Sequence, residues 1–103
     1  GSTLVSLSLH NNGIRASGCN ELCDALLSPN CSLQELDVSL NSISDNASAK
    51  VAQMLGKPRL PLVALNLSSN QWTSKAISDI IRSLVDNDNL MSLDISGNSL
   101  ELR

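Results

Sequence analysis

The chain has 103 residues, 10 acidic and 7 basic side chains and one His, giving a formal net charge of −3. That length supports one compact domain. The absence of a basic run excludes a nucleic-acid footprint, and no apolar stretch nears the ~20 residues of a membrane span. From the start, Gly1-Ser2-Thr3 reads as a cloning scar without an initiator Met, and a single domain is expected over residues 4–103. Leu4-Val5-Ser6-Leu7-Ser8-Leu9 alternates as a strand should, and His10, Asn12, Gly13 and Ile14 then form a turn. Gly18, Leu22, Cys23 and Leu26 follow at i, i+4, i+5 and i+8, one face of a helix that Pro29 closes.

The same unit then recurs. Leu33, Leu36, Val38, Asn41 and Ile43 predict a second strand and turn; Asp45 is a candidate N-cap for a helix carrying Ala47, Val51, Ala52 and Leu55, closed by Gly56 and Pro58. Leu62, Leu65, Leu67, Asn70 and Trp72 begin a third unit, whose helix is capped by Thr73 or Ser74 and carries Ala76, Ile80, Ile81 and Leu84. Leu90, Leu93, Ile95, Asn98 and Leu100 begin a fourth. Repeats therefore start near residues 4, 33, 62 and 90, each fitting L-x-x-L-x-L-x-x-N-x-L, and successive Asn residues lie 29, 29 and 28 apart. Apolar residues are 42% of the chain and aromatics 1%, so the core must be aliphatic, built largely from 19 Leu, with Trp72 taking the column of Ile14, Ile43 and Leu100.

This pattern, with a full helix in each unit of 28 to 29 residues, resembles the ribonuclease-inhibitor-like class of leucine-rich repeats. The resemblance implies an α/β solenoid with parallel strands on a concave face and helices on the convex one. Leu22 to Asp37, with Cys23 and Cys31, is similar to repeats of NOD-like receptors. Related repeats occur in Ran GTPase-activating proteins and in actin regulators of the tropomodulin and CARMIL kind.

Asn12, Asn41, Asn70 and Asn98 are read as structural. Where the chain leaves the strand, backbone groups lose their partners, and a buried amide can both donate and accept there. Cys19, Cys23 and Cys31 do not converge as tetrahedral ligands with His10, so no metal and no cofactor is expected. Their odd number argues against a disulfide scaffold and for a reducing, cytoplasmic setting. Asn30, Asn46 and Asn66 each begin an N-x-S triplet, which keeps a secreted alternative open; about two such matches arise by chance from 11 Asn and 20 Ser or Thr. With one His and no Gly-rich phosphate loop, no enzyme constellation is apparent.

Function is expected on the concave face. Alternation exposes three columns: Ser6, Glu35, Ala64 and Ser92; Ser8, Asp37, Asn66 and Asp94; and His10, Ser39, Ser68 and Ser96. Glu35, Asp37, Asn66, Asp94 and His10 are the candidate protein-binding residues, for a partner bringing basic side chains. The face lacks Trp, Tyr and Arg anchors, so affinity should be weak. The convex helices mix both charge signs, as a solvated face does, and Lys57-Pro58-Arg59 is the densest positive spot. Neither end carries a polar capping unit, which predicts an excerpt of a longer array or self-association through uncapped ends. The expected function is a non-catalytic protein-interaction or scaffold module. By resemblance the alternatives are sensing or autoinhibitory repeats of a NOD-like receptor, or a GTPase-activating or actin-regulating repeat protein.

Overall fold

The computed structural model describes residues 5–98; the expected scar, Leu4 and Leu100 lie outside the described residues. Four three-residue strands, β1 (Ser6–Ser8), β2 (Glu35–Asp37), β3 (Ala64–Asn66) and β4 (Ser92–Asp94), form one parallel sheet in chain order. Their register pairs Leu7 with Leu36, Leu36 with Leu65 and Leu65 with Leu93, so the sequence period is also the strand register. Three helices return the chain between strands: α1 (Arg15–Leu26), α2 (Ser48–Leu55) and α3 (Ser74–Arg82). Parallel strands need such crossovers, and a helix on one face of the sheet supplies each.

Stacking like on like builds the core. Leu36 and Leu65, Val38 and Leu67, Val51 and Ile80, and Ile43 and Trp72 all lie buried between sheet and helices. Trp72 is 0% exposed in its expected column, and its indole Nε1 has no hydrogen-bond partner among the described residues. Beyond the strands the repeats stay linked, Leu9 N–H donating to Asp37 O at 2.7 Å, Val38 N–H to Asn66 O at 3.0 Å and Leu67 N–H to Asp94 O at 2.8 Å. The residue before each repeat Asn takes left-handed backbone: Asn11, Leu40, Ser69 and Gly97, with φ between 56° and 68°. The turn therefore imposes this geometry even on Leu40, at a cost of roughly 1–2 kcal/mol for a side chain of its kind.

Two local expectations need correction. Asp45 does not cap its own helix. A 3-10 turn over Asp45–Ala47 precedes α2, and the Asp45 carboxylate instead accepts the Thr73 N–H at 2.9 Å and the Thr73 hydroxyl, tying one repeat to the next helix. Thr73 is the N-cap residue of α3 without a side-chain cap bond of its own. Ile81, expected on the core face, is 50% exposed, because no helix among the described residues lies beyond α3 to cover it. Gly56 ends α2 with φ −80°, so its position needs no left-handed freedom.

Cys19 and Cys23 sit on α1 at 3% exposure each, and Cys31 is half-buried; all three are free thiols. The hydrogen bond with Cys19 and burial push the Cys23 thiol well above its ordinary range, which suits an inert core residue. No helix is long and apolar enough to cross a membrane among the described residues.

Candidate functional site

The strands bring the expected residues onto one surface. A shallow, open groove of about 410 Å³ runs over the concave sheet, lined by Ser6, Ser8, Glu35, Asp37, Ala64, Asn66, Ser92 and Asp94. Pairing puts Asp37 beside Asn66 and Asn66 beside Asp94, so Asn66 separates the two carboxylates by two strand spacings, about 10 Å. Glu35 lies two residues from Asp37 on the same strand and therefore on the same face.

At three of the four strand exits the last residue is held by a turn of its own. Asp37 Oδ1 accepts the Ser39 N–H at 2.9 Å and the Ser39 hydroxyl at 2.6 Å. Asp94 Oδ1 does the same with Ser96, at 3.0 and 2.7 Å, and Asn66 Oδ1 accepts the Ser68 N–H at 3.0 Å. Short polar side chains bonding the backbone two residues on are Asx turns, and Asp-x-Ser or Asn-x-Ser was the sequence signal for them. The Ser96 hydroxyl and then its N–H hold the Asp94 carboxyl below the usual aspartate range.

Ser39 was expected to be exposed and is 4% exposed instead. His10 reaches over it from the previous repeat, Nδ1 lying 2.7 Å from Ser39 Oγ. Because the single hydroxyl proton of Ser39 goes to Asp37, His10 Nδ1 must be the donor. The chain of groups thus runs histidine to serine to aspartate with serine in the middle. Nucleophile activation needs the opposite, an imidazole that takes the hydroxyl proton. What this trio does is fix His10 and Asp37 in place.

Behind the face runs a ladder of amides. Asn41 Oδ1 accepts the N–H groups of Asn12 (2.7 Å) and Ile14 (3.3 Å), while Nδ2 donates to Leu9, Val38 and Ser39 carbonyls at 2.8 to 3.0 Å. Asn70 serves Asn41 and Ile43 in the same way, and Asn98 serves Asn70 and Trp72. Asn12 is exposed and donates to His10 O at 3.1 Å. Asn41 and Asn70 are 1% and 0% exposed, so these two amides are interior groups rather than contact residues.

Elsewhere, the Lys57 ammonium donates to Leu27 O at 2.7 Å, placing a cation at the C-terminal end of α1. That removes half of the densest positive spot from any outside ligand. Among the described residues no three His, Cys, Asp or Glu side chains gather where they could hold a metal. A column the alternation argument passed over, Val5, Gln34, Val63 and Met91, immediately precedes the strands. Val5 is 45% and Met91 85% exposed.

A family model described as Leucine Rich repeat matches residues 30–47. The chain is 39% identical to mouse NACHT, LRR and PYD domains-containing protein 14, a match covering 96% of this chain and 10% of that protein. It is 36% identical to mouse ribonuclease inhibitor, over 95% of this chain and 21% of that one, so it spans a minor part of both relatives. Among solved structures, leiomodin-1 actin-binding site 2 superposes with a TM-score of 0.82 at 24% identity, covering 91% of this chain and 54% of that chain. The tropomodulin C-terminal domain of Caenorhabditis elegans gives 0.80 at 16% identity, covering 93% and 57%. At such identities the structural likeness speaks to the fold alone. Sequence likeness and architecture agree on one conclusion, that the chain is built of leucine-rich repeats and has their fold.

Proposed function

We propose that the chain is a non-catalytic protein-interaction module whose concave sheet face receives a partner carrying basic side chains. The observation that carries this reading is the row Ser8, Asp37, Asn66 and Asp94, in which both carboxylates are held by turn hydrogen bonds on an open groove. A pre-oriented carboxylate loses little freedom when an Arg or Lys meets it, so the face is built to discriminate by charge. The likeness to ribonuclease inhibitor supports a binding rather than a chemical role, since that protein is named for acting on another protein. Three free thiols favour a reducing, cytoplasmic setting.

The test is the triple variant Glu35→Ala/Asp37→Ala/Asp94→Ala, compared with the parent chain in affinity capture followed by mass spectrometry. Partners retained by the parent and lost by the variant, with the loss reproduced by raised salt, support the reading. An identical set of partners at equal occupancy overturns it.

A second reading follows from the 39% identity to a protein whose name joins leucine-rich repeats to NACHT and PYD domains. On this reading the same face makes an intramolecular, autoinhibitory contact. A parent polypeptide whose activity rises when Glu35, Asp37 and Asp94 are neutralised would favour it; unchanged activity would count against it.

A further inference from the structure

Comparing one column across repeats picks out apolar side chains that no other described repeat covers. In the first repeat Leu7 and Leu22 are partly exposed, whereas Leu36 and Leu65, and Val51 and Ile80, are buried in the same columns. In α3 and the 3-10 turn that follows it (Ser83–Asp86), Ile81 and Val85 are 50% and 81% exposed, while their counterparts Cys23 and Leu27 pack into or against the core. Among the described residues, two apolar faces are thus left uncovered. The first holds a notch of about 160 Å³ lined mainly by Leu7, Leu22, Ala25, Leu26 and Leu33.

Polar groups on these faces match as well. At each inner boundary a repeat Asn donates to a carbonyl of the repeat before: Asn41 to Leu9 O at 2.8 Å, Asn70 to Val38 O at 2.9 Å, Asn98 to Leu67 O at 3.2 Å. Asn12 stands at the same place on the first face, and its amide turns back to His10 O. The α1–α2 boundary also carries an ion pair, Lys50 Nζ to Asp24 Oδ1 at 2.8 Å. Moved two repeats on, the Asp24 position is Arg82; moved one repeat back, the Lys50 position is Glu21. Last face and first face therefore present opposite charges at the positions this ion pair uses, with the signs exchanged. Arg82 is 76% exposed at its side chain, and Asp79 lies 3.8 Å from it.

We propose that a second copy of this chain stacks head to tail on the first. Ile81, Leu84 and Val85 of one copy cover Leu7 and Leu22 of the next, β1 extends the sheet beside β4, and Arg82 pairs with Glu21. The Asn12 amide then takes the Ile95 carbonyl, continuing the ladder. Such a contact is heterologous and does not close, so assembly proceeds past dimers as concentration rises.

Sedimentation equilibrium of the full 103-residue chain, from about 1 μM to about 1 mM, reads this directly. Arg82→Glu and Glu21→Arg, both at exposed positions, should each keep the parent helicity and weaken association by roughly three- to thirtyfold. The double variant should restore parent-like assembly, and an equimolar mixture of the two single variants should assemble past dimers in alternation, because both contacts between unlike copies pair opposite charges. A parent chain that stays monomeric throughout overturns the proposal. So does association that one substitution weakens and the other leaves untouched, the signature of a symmetric contact using one face. The groove residues Glu35 and Asp37 lie on β2, away from this contact, so the double variant Glu35→Ala/Asp37→Ala should associate like the parent whatever its partner binding.

Discussion

Replacing Asn70 by Ala tests the amide ladder at the point where its cost can be worked out group by group. The Asn70 side chain makes five hydrogen bonds. Three of its partners are carbonyls that keep another donor: Val38 O also takes Asn41 Nδ2, Leu67 O takes Asn98 Nδ2, and Ser68 O takes the Leu40 N–H. The other two are the N–H groups of Asn41 and Ile43, at 2.7 and 3.4 Å, on residues 1% and 0% exposed. A buried donor left without a partner costs about 1–3 kcal/mol. With one short bond and one long one, the sum is about 2–4 kcal/mol, or roughly 10–25 °C in Tm for a domain of this size. Asn12→Ala is the internal control, because Asn12 is exposed and its amide makes one bond at 3.1 Å, so about 0.5 kcal/mol or less should be lost. Urea unfolding followed by Trp72 fluorescence and far-ultraviolet circular dichroism gives both values. An Asn70→Ala chain as stable as the parent, or an Asn12→Ala chain equally damaged, would refute the reasoning.

The Asp94 carboxyl is held below the ordinary aspartate range by the Ser96 hydroxyl and N–H, so its contribution to stability is present above about pH 4 and is lost as pH falls through the depressed value. Ser96→Ala removes the hydroxyl donor and should raise the Asp94 titration point in a carboxyl-carbon NMR titration; an unmoved titration point would show that the hydroxyl is not responsible. Leu40, 47% exposed at φ 56°, should be improved by Asn, which tolerates left-handed backbone, by about 0.5–1 kcal/mol in chemical denaturation. A less stable Leu40→Asn chain would show that the Leu40 side chain packs more usefully than its exposure suggests.

The repeat made most of the fold legible before any coordinates, because in a solenoid the period along the chain is also the register across the sheet. Leu36 pairs with Leu65 for the same reason that both fill the fourth position of the pattern. What a column cannot convey is anything that crosses between repeats at another offset. Asp45 was read as the cap of its own helix, yet it bonds Thr73 at the start of the next one, a separation of 28 residues between unlike columns. Ser39 was read as exposed from strand alternation alone, and its burial depends on His10 arriving from the repeat before. Ile81 fits the helical face on paper; its exposure depends on what lies beside the last helix. The concave columns were readable from alternation, whereas the fixing of their carboxylates required Asp-x-Ser to be read as a turn.

Those fixed carboxylates also bound what the face can contribute to binding. An exposed pair between a carboxylate and an Arg or Lys is worth about 0.2–1 kcal/mol. Glu35, Asp37 and Asp94 together then supply roughly 0.6–3 kcal/mol, against about 8 kcal/mol for a micromolar complex. No aromatic side chain lines the groove to make up the difference, since Trp72 is spent on the core. The turn hydrogen bonds change the quality of those charges rather than their number. They leave Asp37 and Asp94 about 10 Å apart on a rigid sheet, a spacing that accepts some arrangements of basic side chains and rejects others. Charge at such fixed positions governs encounter and register more than affinity. On the proposed function, the groove would act as the discriminating stretch of a wider contact, and the energy of that contact would have to come from apolar surface outside the groove.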